Sequence, residues 1–157
     1  IYGSLSRSET SSKMTIGKMN EPAEGSPSRR QEVMMRRAEK QQDVTDWVTV
    51  TFGSTQANNI AEQATRLLEE ALETAQAAGV PVSMVTKLAQ RVYDKEPGDL
   101  SLEIGQVGLC LLAVSAAAGV DADTLEDAEV AAVRTKPAHY YHTRYLKKIA
   151  EGVTIHG

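Results

Sequence analysis

Apolar positions recur every three or four residues along most of the chain, and Gly or Pro separates most of the periodic segments. This spacing predicts helices, and no strand-like alternation of any length appears. The predicted helical segments cover about 57–78, 83–94, 99–118, 122–134 and 138–151. Gly119 is placed as a C-cap glycine should be. Because short connections favour antiparallel neighbours, the predicted architecture is an all-α bundle.

The chain before the first of these segments changes character twice. Residues 1–28 are rich in Ser, Gly, Glu, Lys and Pro without an apolar period, so we expect a disordered tail. Whether its opening residues before Met14 are a vector remnant or a truncated start is left open by the sequence. Residues 29–157 form the expected helical domain. Its first stretch, 29–40, is charged and helix-prone, as either a solvated helix face or an arm that touches phosphate or a partner subunit.

A single carboxylate interrupts the most apolar predicted helix. Glu103 lies on the same helical stripe as Val107, where neighbouring side chains are expected to be buried. An unpaired buried charge is costly, which favours a hydrogen-bonded or metal-bound role. The alternative is a first-turn glutamate that reaches water and favours the positive end of the helix dipole. Gly105 and Gly108 each weaken the helix by about 1 kcal/mol relative to Ala, which close approach of another helix or a ligand would explain.

More carboxylates lie on the predicted helix upstream. Glu70 and Glu73, three residues apart, share one flank and can share a cation, while Glu69 is a candidate outer ligand. If this helix packs against the one bearing Glu103, the acids converge. Hard divalent cations such as Mg²⁺ prefer oxygen ligands completed by phosphate oxygens. The alternative for the upstream acids is an ordinary solvated helix face.

Basic and aromatic side chains are concentrated in 134–148. Lysines and arginines there could hold phosphate charge, with a solvated C-terminal helix as the alternative. His139 and His142 are three residues apart, which is only a weak signal for a metal, and a general-base or phosphate-contact role is open to them. Trp47, near the only Phe, is a candidate for core packing or for a wall against a nucleobase.

Composition narrows the classes of protein. The 157 residues, with 41% hydrophobic content and a net charge of −4, are typical of one soluble domain and not of a basic nucleic-acid binder or a membrane protein. The apolar run at 104–120 is broken by Gly and polar residues, which favours a core helix over a membrane span. Only 4% of residues are aromatic, so the core is expected to be thin and completed by oligomerisation. A single cysteine, Cys110, and no export signal favour the cytoplasm.

Taken in order, these features resemble the MazG-like all-α nucleoside triphosphate pyrophosphatases over about residues 44–153. That family carries a Glu-x-x-Glu pair and a Glu-x-x-Asp pair on two helices. Glu70-Ala71-Leu72-Glu73 matches the first pair, and Glu103-Ile104-Gly105-Gln106 matches the start of the second, with Gln106 in place of Asp. A phage and bacterial subgroup that also lacks this Asp is similar at Trp47, Phe52-Gly53, Arg91-Val92-Tyr93, Pro97-Gly98 and Lys136-Pro137-Ala138-His139.

The resemblance implies hydrolysis of a nucleoside or deoxynucleoside triphosphate between the α and β phosphates. It implies Mg²⁺ or Mn²⁺ on Glu70, Glu73, Glu103 and Gln106, with Glu69 or another of these acids taking the proton from water. Expected substrate contacts come from Trp47, Arg91, Lys136, His139 and Arg144. Dimers or tetramers are expected, without a membrane or a stable nucleic-acid partner. The competing hypothesis, which Gln106 favours, is a noncatalytic nucleotide-sensing or protein-binding helical module.

Overall fold

The predicted all-α class is confirmed. A computed structural model of the chain describes residues 29–155, with side chains described from Arg36 onward, and this range contains helices and no strand. The helices are α1 (Arg29–Phe52), α2 (Ser54–Ala57), α3 (Ile60–Ala77), α4 (Val82–Tyr93), α5 (Leu100–Ala118), α6 (Ala122–Thr135) and α7 (Ala138–Glu151). The predicted tail, 1–28, lies outside the described residues.

The helix boundaries differ from the sequence prediction mainly near the start. The charged stretch 29–40 and the segment around Trp47 form one continuous helix, α1. Gly53, at φ 91°, then separates α1 from the short α2. Next, α3 begins later than expected because the Asn59 side chain accepts a hydrogen bond from the Glu62 amide at 3.1 Å. The four later helices begin and end within about one residue of the predicted bounds.

Helix α1 is the scaffold, since α2, α6 and α7 all pack against it. Lys40 of α1 lies 2.8 Å from Asp127 and 3.0 Å from Glu126 on α6, and Arg134 of α6 reaches Asp43 at 2.8 Å. From Arg36 to Glu39 the charged stretch is exposed, which agrees with a solvated helix face. From Arg36 onward, its cations hold α1 against α6 of the same chain.

A row of five aromatic side chains joins α1 to α7. Its members meet edge to face at centroid distances of 5.1–5.8 Å, and they are Tyr140, Tyr141, Trp47, Phe52 and Tyr145. Such contacts stabilise a fold beyond the burial of apolar area alone. We call these residues the aromatic row. Because its three tyrosines belong to α7 whereas Trp47 and Phe52 belong to α1, the row fixes the orientation of α7 against α1.

Helices α4 and α5 are much less covered. Among the described residues, α4 takes part in none of the extensive helix contacts and α5 packs only against α6. Helix α5 has a mean hydropathy of 1.7, and only 6% of its apolar stretch is buried. It is the one described helix long and apolar enough to cross a membrane, a test of length and composition that core helices of soluble proteins also pass. The expected core helix is thus not covered by its own chain.

Candidate functional site

Two acids of α3, Glu69 and Glu73, line a groove between α3 and α4, and Glu70 lies next to Glu69 on the same helix. Glu70 and Glu73 are exposed, and Glu69 forms an ion pair with Lys148 of α7. The groove has a volume of about 590 Å³, within the range of small-molecule sites. Its lining is mainly apolar with four polar residues, and consists of Thr65, Leu68, Glu69, Leu72, Glu73, Gln76, Val80, Val82, Val85 and Val153.

Glu103 is not buried. It lies in the first turn of α5, where the Asp99 side chain caps the helix by accepting a hydrogen bond from the Leu102 amide at 3.0 Å. Its carboxylate turns back toward Gly98, where an added Cβ would lie 2.5 Å from Glu103 Oε1. This placement fits the alternative of a first-turn glutamate near the positive end of the helix dipole. Gln106 is exposed one turn further along α5.

Within one chain, the acids of α3 and α5 do not come together as a set of metal ligands. Helix α5 does not share an extensive contact with α3, and no group of three or more His, Cys, Asp or Glu side chains in the described part of the chain could hold a metal. Glu70 and Glu73 remain a pair of exposed carboxylates on one flank. Two carboxylates with phosphate oxygens and waters are a usual Mg²⁺ environment, so this pair alone fits that ion.

Cations of α7 lie beside the acids of α3. Lys148 binds Glu69 directly, and Arg144 lies close enough to Glu69 and Glu73 to feel their charge. A hydrogen bond to the Tyr140 hydroxyl is the main cause that raises the pKa of Arg144, and these two carboxylates add to it. Positive and negative groups therefore meet at one edge of the α3–α4 groove, an arrangement suited to a phosphate ester that carries a divalent cation.

The remaining expected contacts are dispersed. Trp47 is half-buried within the aromatic row, where it packs against Phe52 and Tyr141. Arg91 is exposed in the last turn of α4, and His139 is exposed in the first turn of α7. Lys136 lies at the α6–α7 junction, next to the ring of Tyr140.

Comparison of this chain with protein-family models, with curated proteins and with solved structures gives no match. The geometry of the described residues and the sequence motifs are thus the basis for a functional proposal.

The most deeply buried acid was missed by the sequence analysis. Glu62, only 1% exposed, accepts hydrogen bonds from Arg66 Nε at 2.9 Å, from the Ile155 amide at 2.9 Å and from the Thr154 hydroxyl. The Arg66 guanidinium lies over the Phe52 ring, 4.3 Å from its centroid. Asn59-x-x-Glu62 has the spacing of a capping box, a signal that marks the helix start but not this use of the carboxylate.

Glu62 fixes the chain segment that follows α7. Three donors satisfy its carboxylate, which offsets the cost of burying the charge. The tethered segment includes Val153, which lines the α3–α4 groove. Beside it, burial raises the pKa of the Tyr145 hydroxyl, and the charge of Glu62 raises it further. The Glu62 cluster therefore helps to shape one end of the groove.

Proposed function

We propose that the protein is a metal-dependent nucleotide pyrophosphohydrolase, which converts a nucleoside or deoxynucleoside triphosphate to the monophosphate and pyrophosphate. The observation that carries the proposal is the meeting of the α3 acids with Arg144 and Lys148 of α7 at one edge of a 590 Å³ groove. A triphosphate needs both partners, cations from the protein and carboxylates that hold a metal. The similarity of the acidic motifs to MazG-like enzymes supports the same conclusion.

The residues divide the work as follows. Glu70 and Glu73 would hold Mg²⁺ or Mn²⁺, which supplies charge neutralisation and a more acidic water when bound. Glu69 lies beside this pair and would accept the proton, once the substrate competes for Lys148. Arg144 and Lys148 would hold the phosphate charge that builds on the leaving pyrophosphate.

Glu103 and Gln106 enter this site only through the assembled protein. Both lie on α5, which has little cover from its own chain, and neither Gly105 nor Gly108 has a neighbour within 4 Å of an added Cβ. We propose that a second copy of the chain covers α5 and the exposed apolar faces of α3 and α4, and brings α5 close to the acids of α3. Dimers or tetramers of a cytoplasmic protein would bury such faces.

The amphipathic character of α3 and α4 favours a second copy of the chain, rather than a lipid bilayer, as the partner that covers these apolar faces. Exposed apolar residues of α3 and α4, such as Leu68, Leu72 and Leu88, share their helices with several charged side chains. A bilayer would cover α5 alone, whereas a helix bundle covers one face of each helix and leaves the charged faces in water.

The activity is tested by pyrophosphate release from a panel of the common NTPs and dNTPs with Mg²⁺ or Mn²⁺. Glu70→Gln should abolish metal-dependent release while helical circular dichroism stays intact, because an amide is a neutral and weaker ligand. Glu129→Gln, which changes an exposed acid on α6, is the matched control and should leave release unchanged.

Other outcomes assign a different function. Activity retained by Glu70→Gln would remove Glu70 from the site. No release with any nucleotide, combined with thermal stabilisation by nucleotide, would favour a nucleotide sensor; Gln106 and the exposed Glu103 are the features that agree with this candidate. Neither release nor stabilisation would favour a protein-binding module.

A further inference from the structure

Three polar side chains converge beside the first two turns of α7. Lys136 Nζ lies 3.5 Å and Arg144 Nη1 lies 3.1 Å from the hydroxyl oxygen of Tyr140. Tyr140 and Arg144 are four apart on α7, which places one above the other along the helix, and Lys136 reaches the same point from the α6–α7 junction. Lys136 Nζ also lies 4.5 Å from the centroid of the Tyr140 ring. The same ammonium group therefore contacts both the ring face and the hydroxyl of this tyrosine.

The charges at this point are not balanced. Among the described residues, neither Lys136 nor Arg144 has a carboxylate within salt-bridge distance, whereas their helix neighbours Lys147 and Lys148 pair with Glu151 and Glu69. Two cations therefore donate to a single uncharged phenol. A hydrogen bond from Lys or Arg to an anion gains a Coulomb attraction that a bond to an uncharged hydroxyl lacks. An anionic ligand would be a better partner for both cations than the hydroxyl is.

The phenol itself can contribute a third donor. Its oxygen accepts from both cations, so its own hydrogen is available to another acceptor. The hydrogen bond from Arg144, and next that from Lys136, lower the pKa of Tyr140 below its usual 10.0 and make it a stronger donor. The ring is held in place, since it meets Tyr141 edge to face at 5.1 Å and Tyr141 meets Trp47 at 5.2 Å.

We propose that Lys136, Tyr140 and Arg144 form an anion-binding site on α7 that takes a phosphate-bearing group. The site needs three donors that converge on one point, and phosphate oxygens can accept from all of them. If the proposed function holds, the group is the pyrophosphate released from the substrate, because Arg144 lies near the α3 acids. Free inorganic phosphate has the same chemistry, and the binding test separates the two.

Calorimetric titration of the full chain with inorganic pyrophosphate and with inorganic phosphate tests this site. Tyr140→Phe, which keeps the ring in the aromatic row, should weaken pyrophosphate binding by about tenfold, and Lys136→Met by a similar factor. Lys147→Met is the matched control, since it removes the same charge at a lysine of α7 that already pairs with Glu151, and it should change affinity by less than about twofold.

The titration of Tyr140 gives a second measurement that does not depend on the variants folding equally well. One tyrosine should ionise below the usual value of 10.0, as followed by phenolate absorbance, and this component should be absent from Tyr140→Phe. Saturating pyrophosphate should raise its pKa, because the anion takes the two cations and adds negative charge. A titration that pyrophosphate leaves unchanged, or an equal loss of affinity in Lys147→Met, would overturn the site.

The results separate this inference from the proposed function. Pyrophosphate binding that depends on Tyr140, in a protein that releases no pyrophosphate from any nucleotide, would support the anion site and remove the hydrolase. Phosphate binding that exceeds pyrophosphate binding would support the site but not its assignment to the leaving group. Turnover without any effect of Tyr140→Phe on pyrophosphate affinity would support the hydrolase and remove the site.

Discussion

The two halves of this molecule use apolar side chains in opposite ways. In the half built on α1, the aromatic row and the charged pairs between α1 and α6 hold helices against one another within one chain. In the half formed by α4 and α5, large apolar residues such as Leu109, 68% exposed, have little cover from that chain. The first half shows what a protomer stabilises by itself. The second half is the surface that we propose a second copy of the chain covers.

The largest expected effect comes from placing a charge in the uncovered half. Leu109→Glu should weaken self-association by roughly 100-fold or more and yield a monomer, because the carboxylate would be desolvated against an apolar partner face. The change is read as mass from light scattering after size exclusion. Val50→Glu places the same charge on α1 at a residue that is 80% exposed, and the mass should not change. Equal behaviour of the two variants would remove the distinction between the halves.

A truncation in the packed half should cost stability in the protomer itself. Tyr145 is 7% exposed, and Tyr145→Ala should lower the free energy of unfolding by about 3 kcal/mol, because it removes a ring packed on Phe52. Tyr93→Ala, at the exposed end of α4, should change it by less than about 0.5 kcal/mol. Both are measured by urea unfolding in the monomeric Leu109→Glu background. Similar costs for the two would show that Tyr145 is not part of a protomer core.

Replacing a glycine of α5 by alanine can distinguish an open surface from an interface, because the expected change in stability or association has opposite signs in the two cases. In the monomeric background, Gly105→Ala should stabilise the protein by about 1 kcal/mol, because nothing lies near the added Cβ and Ala is the better helix former. In the assembled protein the same change should weaken association if a partner helix approaches there. An equal stabilisation in both backgrounds would place Gly105 outside the interface.

The smallest expected effect concerns the Lys40–Asp127 pair, which lies near the surface. The hydrogen bond between them raises the pKa of Lys40 above 10.5 and lowers that of Asp127 below 3.8. The raised pKa of Lys40 stabilises the folded protein below pH 10.5, and this stabilisation is lost as the pH rises through the pKa of the folded state. The lowered pKa of Asp127 stabilises the folded protein above pH 3.8, and this stabilisation is lost as the pH falls through the pKa of the folded state. Lys40→Met should therefore lower the melting temperature modestly, by an amount that is constant around neutral pH. The difference in melting temperature between wild type and variant should shrink below about pH 4. A difference that grows on acidification would contradict the pairing.

The helices were predictable because their signals are local. Apolar periodicity and the glycines at helix ends placed α4 to α7 within about one residue, and Gly119 does adopt φ 70° at the C-cap. The continuity of α1 was not predicted, since charged residues dominate its first half and both of its aromatic residues lie in the second. Its course is set by partners that are distant in sequence.

The candidate site shows the same limit more strongly. The acids of α3 and the cations of α7 were identified from their residue types, but their closeness arises from the packing of α7 on α1 and the contact of Lys148 with Glu69. Glu62 was missed because a glutamate in a first helical turn is usually solvated, and its burial depends on Thr154 and Ile155, more than 90 residues away. In the assembly that we propose, a contact between two chains would decide whether Glu103 joins Glu70 and Glu73.

The mass of the wild-type protein in solution tests the central claim most directly, which is that a second copy covers α5 and the apolar faces of α3 and α4. Sedimentation equilibrium at micromolar concentration should give the mass of two or four chains, with no binding to neutral lipid vesicles. A single-chain mass, or a monomer that partitions into the vesicles through α5, would contradict the account.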